Sequence, residues 1–178
     1  MSRIAPLAAP YPPAIQAAFD AIMPPGVPPL ILFTTLARNP RVYERFRAGS
    51  LLDKGTLTLR EREIVIDRTC ARCRSEYEWG VHIAFFAAAA GLTAAEVAAT
   101  AAPGIEGWSP REALLIRLVD ALHDACDVED GLWSALKTEF GDEQLLELIV
   151  LTGFYHTVSF VTNALRLPLE SGAARFPG

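Results

Sequence analysis

The sequence predicts an all-α chain, and three observations carry that prediction. No segment of the 178 residues alternates apolar and polar side chains with period two, the signature of a half-buried strand. Alanine is abundant, and the β-branched residues are scattered rather than grouped. Helix-start signals recur: Thr58-Leu-Arg-Glu61, Thr93-Ala-Ala-Glu96 and Ser109-Pro-Arg-Glu112 each pair an N-cap hydroxyl with a glutamate three residues on.

In order along the chain, residues 1–30 are proline-rich and read as an extended arm with one short helix near 14–22, laid over a surface or a neighbouring subunit. Residues 31–178 read as one helical domain. "LILFTTLARNP" is a short apolar helix stopped by Asn39-Pro40, and "RVYERFRAGSLL" is a second, ending near Gly49. The capping boxes open helices near 58–74, 93–101 and 109–125, with Pro110 at a first helical position, where its missing N–H costs nothing. Further helices are expected near 76–90, 129–140 and 142–166; Asp142 is placed to cap the last of these after Gly141 ends its predecessor.

The composition narrows the function classes. A formal net charge of −5 without a concentration of Lys and Arg argues against nucleic-acid binding. The prolines of "MSRIAPLAAPYPPAI" fall where a signal peptide needs an apolar run, and three cysteines are too few and odd in number for a disulfide framework, so a reducing cytoplasmic setting is expected. Residues 148–165 carry no formal charge over nearly the length of a membrane span, but Gly153, His156, Ser159 and Asn163 interrupt them; a helix buried in a bundle or subunit interface is the expected reading, with no membrane partner. A chain that is 51% hydrophobic suggests apolar surface buried between subunits as well as within one.

The chemistry-bearing residues cluster in "RTCARCRSEYEWGVHIAFF", residues 68–86. Cys70 and Cys73 have the spacing of a redox or zinc-ligand pair, yet no second pair exists to complete a zinc site, so no metal is expected. Ser75, Glu78 and His82, at i, i+3 and i+7, share one helix face; a carboxylate one turn before a histidine orients the imidazole and raises its pKa for general acid–base work. The plainer alternative is a histidine satisfied at the surface, which the following "IAFFAAAA" weakens because that segment heads inward. Glu63, Asp67, Cys70 and Arg74 form a stripe on the preceding helix. If the two helices pack, Glu63 approaches His82, and the like charges at 63 and 67 push one carboxyl pKa upward. His123, His156 and Tyr155 are weaker candidates.

Residues 59–97, "LREREIVIDRTCARCRSEYEWGVHIAFFAAAAGLTAAEV", resemble the carboxymuconolactone decarboxylase family, a superfamily that also holds the alkylhydroperoxidase D proteins. "NPRVYERF" upstream and "EQLLELIVLTGFYHTVSFVTNAL" downstream extend the resemblance over most of the chain beyond the arm. The resemblance implies an all-helical fold assembling as a homo-oligomer, a trimer or hexamer with a dimer as the smaller option. It also implies a redox motif, Cys-x-x-Cys-x-x-x-His with a glutamate twelve residues before the first cysteine. Aligned on His82, the cysteine positions fall on Ser75 and Glu78 and the glutamate position on Glu63, while Cys70 and Cys73 lie five residues too early.

The expectation is therefore cofactor-independent, lyase-type chemistry on a small carboxylated or lactone-like compound. His82 would act as general acid, Glu78 and Glu63 would tune it, and Ser75, Tyr77 and Arg74 would contact substrate. The competing readings are peroxide reduction through Cys70 or Cys73 and a non-catalytic binding or assembly role.

Overall fold

The computed structural model describes residues 2–177, and among them the chain is all-helical, with nine helices and no strand. These are α1 (Pro13–Asp20), α2 (Ile31–Leu36), α3 (Pro40–Ala48), α4 (Leu59–Arg72), α5 (Glu76–Phe86), α6 (Ala94–Ala101), α7 (Pro110–Ala125), α8 (Asp130–Glu139) and α9 (Asp142–Leu165). All three capping boxes close as their spacing requires, at the starts of α4, α6 and α7.

Two boundaries differ from expectation. α5 ends at Phe86 and passes into turns over 87–91, which Gly91 closes in a left-handed conformation (φ 68°) with Leu92 N–H donating to the Ala87 carbonyl at 2.9 Å. Asp142 is the first residue of α9 rather than its cap. Gly141 takes the cap position, and the Gln144 side-chain oxygen accepts its N–H at 3.2 Å.

Helix α4 is the axis of the molecule, packed against α5, α6, α7 and α9. Ile64, Val65 and Ile66 are consecutive and fully buried, which requires a helix covered on all sides. A central helix also buries its polar residues, and each then needs a partner. Arg68 finds several: the Nε–Nη2 edge of its guanidinium donates to both Asp120 oxygens, at 2.8 and 2.7 Å, and Nη1 donates to the carbonyls of Thr100 and Ala102.

A tight turn reverses the chain between α4 and α5. Arg74 adopts φ 55°, and Ser75 N–H donates to the Cys70 carbonyl at 2.8 Å. The hairpin thereby lays the Glu63 stripe of α4 against the His82 face of α5.

The arm packs on its own chain. Phe19 is buried edge-on between Tyr11 and Tyr43, and Leu7 N–H donates to the Thr34 carbonyl at 3.0 Å. The C-terminal tail crosses α5 at Gly80, where Ala174 N–H donates to the Gly80 carbonyl at 3.1 Å. A Cβ at position 80 would collide with the Ala174 backbone.

Helix α9 is long and apolar enough to cross a membrane by length and composition, yet one face of it lines the protein core, with Leu145, Leu148, Leu151, Thr152, Tyr155, Val158, Ser159 and Thr162 all buried.

Candidate active site

Helices α4, α5 and α9 bring Glu63, His82 and Tyr155 into one line of contacts. His82, on α5, is 3% exposed in its side chain and sits between two partners. Its Nδ1 lies 2.7 Å from Glu63 Oε2 on α4, and its Nε2 lies 2.9 Å from Tyr155 Oη on α9. Glu78, one turn before His82 on α5, brings Oε1 to 3.5 Å from the same Nε2. The outer side is closed by Arg62. Its Nε donates to Glu63 Oε1 at 3.1 Å, its Nη1 donates to the Leu52 carbonyl at 2.8 Å, and its guanidinium lies 5.8 Å from the Phe86 ring centre.

The electrostatics follow from this packing. Burial alone would lower the His82 pKa, but the hydrogen bonds and charges of Glu63 and Glu78 outweigh it and push the pKa up to about 10. His82 is therefore an imidazolium at neutral pH, with both ring N–H groups as donors. Asp67, one turn beyond Glu63 on α4, goes the other way from an ordinary carboxylate: burial, with the nearby Glu63 charge adding to it, raises its pKa well above the usual range despite the opposing pull of His82.

Both Asp67 oxygens and Glu78 Oε2 are buried without a hydrogen-bond partner. The ligand atoms of Glu63, Asp67 and His82 lie within 4.8 Å of one another, but Nδ1 of His82 is already committed to Glu63.

The residues expected from the sequence separate into two groups. Glu63, Glu78 and His82 come together. Ser75 and Tyr77 do not join them: the Ser75 hydroxyl lies 2.8 Å from Thr162 Oγ1, and the Tyr77 hydroxyl accepts the Leu32 N–H at 3.0 Å and bonds Glu170. Both hydroxyls hold α5 to its surroundings. Arg74 is exposed in the α4–α5 turn and lines a cleft of about 360 Å³ with Arg166 and Arg175, which none of Glu63, Glu78 and His82 borders.

The thiols also separate. Cys70 is fully buried beside the acid–base residues, where burial and the charges of Glu78 and Asp67 raise its pKa well above an ordinary thiol's. Cys73 is half-buried and turns toward His123, 3.8 Å away. Sequence reasoning noted Tyr155 only as a weak candidate. Its place one turn after Leu151 in an apolar helix reads as core, and a hydroxyl buried there needs a partner from elsewhere in the chain.

A model of the carboxymuconolactone decarboxylase family matches residues 38–121. No curated protein matches the chain. Among solved structures the chain is similar to the alkylhydroperoxidase AhpD core of an uncharacterized peroxidase-related protein from Ralstonia eutropha JMP134, at 20% identity and a TM-score of 0.82, covering 96% of this chain and 94% of that one. It is also similar to an uncharacterized peroxidase-related protein from Silicibacter sp. TM1040, at 18% identity and a TM-score of 0.78, covering 93% and 90%. A third similar structure is the debrominase Bmp8 in complex with 2,3,4-tribromopyrrole, at 13% identity and a TM-score of 0.75, covering 97% and 94%. Identities this low speak to the shared helical fold.

Proposed function

Because the chain belongs to the carboxymuconolactone decarboxylase family, we propose that its buried Glu63–His82–Tyr155 line performs cofactor-independent acid–base chemistry of lyase type on a small carboxylated or lactone-like compound. The observation that carries this reading is the buried line of contacts, with Glu63 Oε2 2.7 Å from His82 Nδ1 and Tyr155 Oη 2.9 Å from His82 Nε2. A histidine with a pKa near 10 is loaded as an acid at neutral pH and is a poor candidate for a base. A thiol peroxidase needs the opposite arrangement, a base beside a readily ionised thiol, and Cys70 is held protonated by burial and its acidic neighbours.

In the proposed step the bond from the substrate carbon to its carboxylate breaks and carbon dioxide departs. The electron pair left behind spreads into a conjugated carbonyl, and a proton is added to the carbon. His82 Nε2–H donates to Tyr155 Oη, which frees the Tyr155 hydroxyl hydrogen to be passed toward substrate. Glu63 holds Nδ1–H and so keeps the imidazolium in place. Arg62, at the outer edge of the site, is the cation placed to receive a substrate carboxylate. Arg74 was expected in that role, but its left-handed turn position directs it into a different cleft.

The discriminating experiment compares wild-type protein with the Cys70→Ser, Cys73→Ser double variant. Both proteins are assayed for thiol-dependent loss of an organic hydroperoxide and for carbon dioxide release from a panel of carboxylated lactones. Equal decarboxylation by both, with no hydroperoxide loss in either, is the expected result. Hydroperoxide loss that disappears in the double variant would sink the lyase reading.

A homo-oligomer is part of the same proposal. Leu146, Val150 and Phe160 are 65%, 54% and 65% exposed along the outer stripe of α9, an apolar surface suited to a second copy of the chain. Phe160→Glu is expected to shift the light-scattering mass to that of a smaller species without lowering helix content. A wild-type mass already equal to one chain would refute assembly through this face.

A further inference from the structure

Three residues outside the acid–base site converge from separate helices. Cys73 ends α4, His123 lies in the last turn of α7, and His156 lies midway along α9. Cys73 Sγ is 3.8 Å from His123 Nδ1, and that nitrogen is 2.9 Å from His156 Nε2. All three donor atoms fall within 4.8 Å of one another, and all three residues are half-buried.

We propose that Cys73, His123 and His156 form a binding site for one zinc ion, with the fourth position open to water. The donor set is a thiolate and two imidazoles, the combination that zinc prefers. The spacing also fits. Bond lengths of about 2.0–2.1 Å to nitrogen and about 2.3 Å to sulfur, at tetrahedral angles, set the donors about 3.3 Å (N to N) and about 3.6 Å (N to S) apart. The observed 2.9 and 3.8 Å differ from these by only a few tenths of an ångström, within reach of small side-chain rotations.

The outer contacts prepare the ligands. His156 Nδ1–H donates to the Thr152 carbonyl at 2.9 Å, which leaves Nε2 as the lone pair facing the cluster. His123 Nδ1–H donates to that lone pair in the metal-free protein. On metal entry the His123 proton moves to its own Nε2, and the Cys73 thiol releases its proton to solvent as the sulfur–zinc bond forms. The neighbouring cation, Arg72, is already engaged by Asp124 and by Asp120, the latter at 3.5 Å, so its charge opposes zinc only weakly. Bound zinc ties the ends of α4 and α7 to the turn of α9 that also carries Tyr155.

The test is a cobalt(II) titration of the full-length protein, because cobalt mimics zinc and reports its ligands. The expected result is one equivalent of cobalt bound, with visible bands of a tetrahedral ion and a near-ultraviolet thiolate charge-transfer band, all displaced by zinc. Cys73→Ser abolishes the charge-transfer band and His123→Ala weakens cobalt binding at least tenfold, both with unchanged circular dichroism. Cys70→Ser, Cys126→Ser and His82→Ala retain the band. No band in the wild type, or a band that survives Cys73→Ser, overturns the proposal.

Discussion

Replacing His82 with alanine is expected to lower turnover by about 10²–10⁴-fold, the usual contribution of a positioned general acid. The loss should appear in kcat and in kcat/KM together, because the proton is needed in the transition state rather than for binding. Stability falls as well. Glu63 is 1% exposed in its side chain, and losing its imidazolium partner leaves only Arg62 against its charge. Breaking a buried pair on one side costs about 3–5 kcal/mol, so rates must be read well below the melting transition of the variant. Added imidazole, which fits the space left by the truncated ring, separates the two effects: it should restore part of the turnover. A His82→Ala protein that is folded and within threefold of wild type would remove His82 from the chemistry.

The second large effect is on stability against pH. His82 has a folded pKa of about 10 against a usual 6.5, so the folded state holds its proton more tightly than the unfolded chain does. The stability this contributes is fully present below pH 6.5 and is lost as the pH rises toward 10. Between pH 6.5 and about 8.5 the slope should approach −1.4 kcal/mol per pH unit, the limit for one proton. Denaturant melts across that interval measure it. The slope is read in the lower part of the interval, below about pH 7.5, where unfolded thiols, with a usual pKa of about 8.5, and phenols are still almost wholly protonated. Asp67 adds to the slope in the same direction, because its folded pKa is raised while its unfolded carboxyl is already ionised, so the His82 share is read in an Asp67→Asn background. Glu63→Gln removes the strongest hydrogen bond to the imidazolium, and the slope should flatten. An unchanged slope in that variant would mean that another group carries the linkage.

How far the sequence could be read depends on the range of the interactions involved. The Thr58, Thr93 and Ser109 caps act over three residues, so the starts of α4, α6 and α7 were legible in it. The Glu78–His82 pair was legible for the same reason, being one helical turn apart. Glu63 and His82 could be suspected but not joined, because their 2.7 Å contact exists only through the tight turn at Arg74. The like-charge argument for Glu63 and Asp67 named a raised carboxyl pKa, and burial made Asp67 the one raised.

Ser75 and Tyr77 show the converse. Their positions on α5 suggested substrate contact, yet Thr162, Leu32 and Glu170, all distant in sequence, take up their hydroxyls.

By itself the sequence determined the helical class, the order of the helices, the resemblance that led to the family, and the one-turn pairing of Glu78 with His82, because caps, periodicity and one-turn spacings are local properties of the chain. Only the tertiary structure decided that Tyr155 completes the line through His82, that Arg62 rather than Arg74 stands at its edge, and that Cys73 turns away toward His123 and His156. Each of those outcomes depends on which helix faces which across a shared core, because the partners that meet there are far apart in the chain.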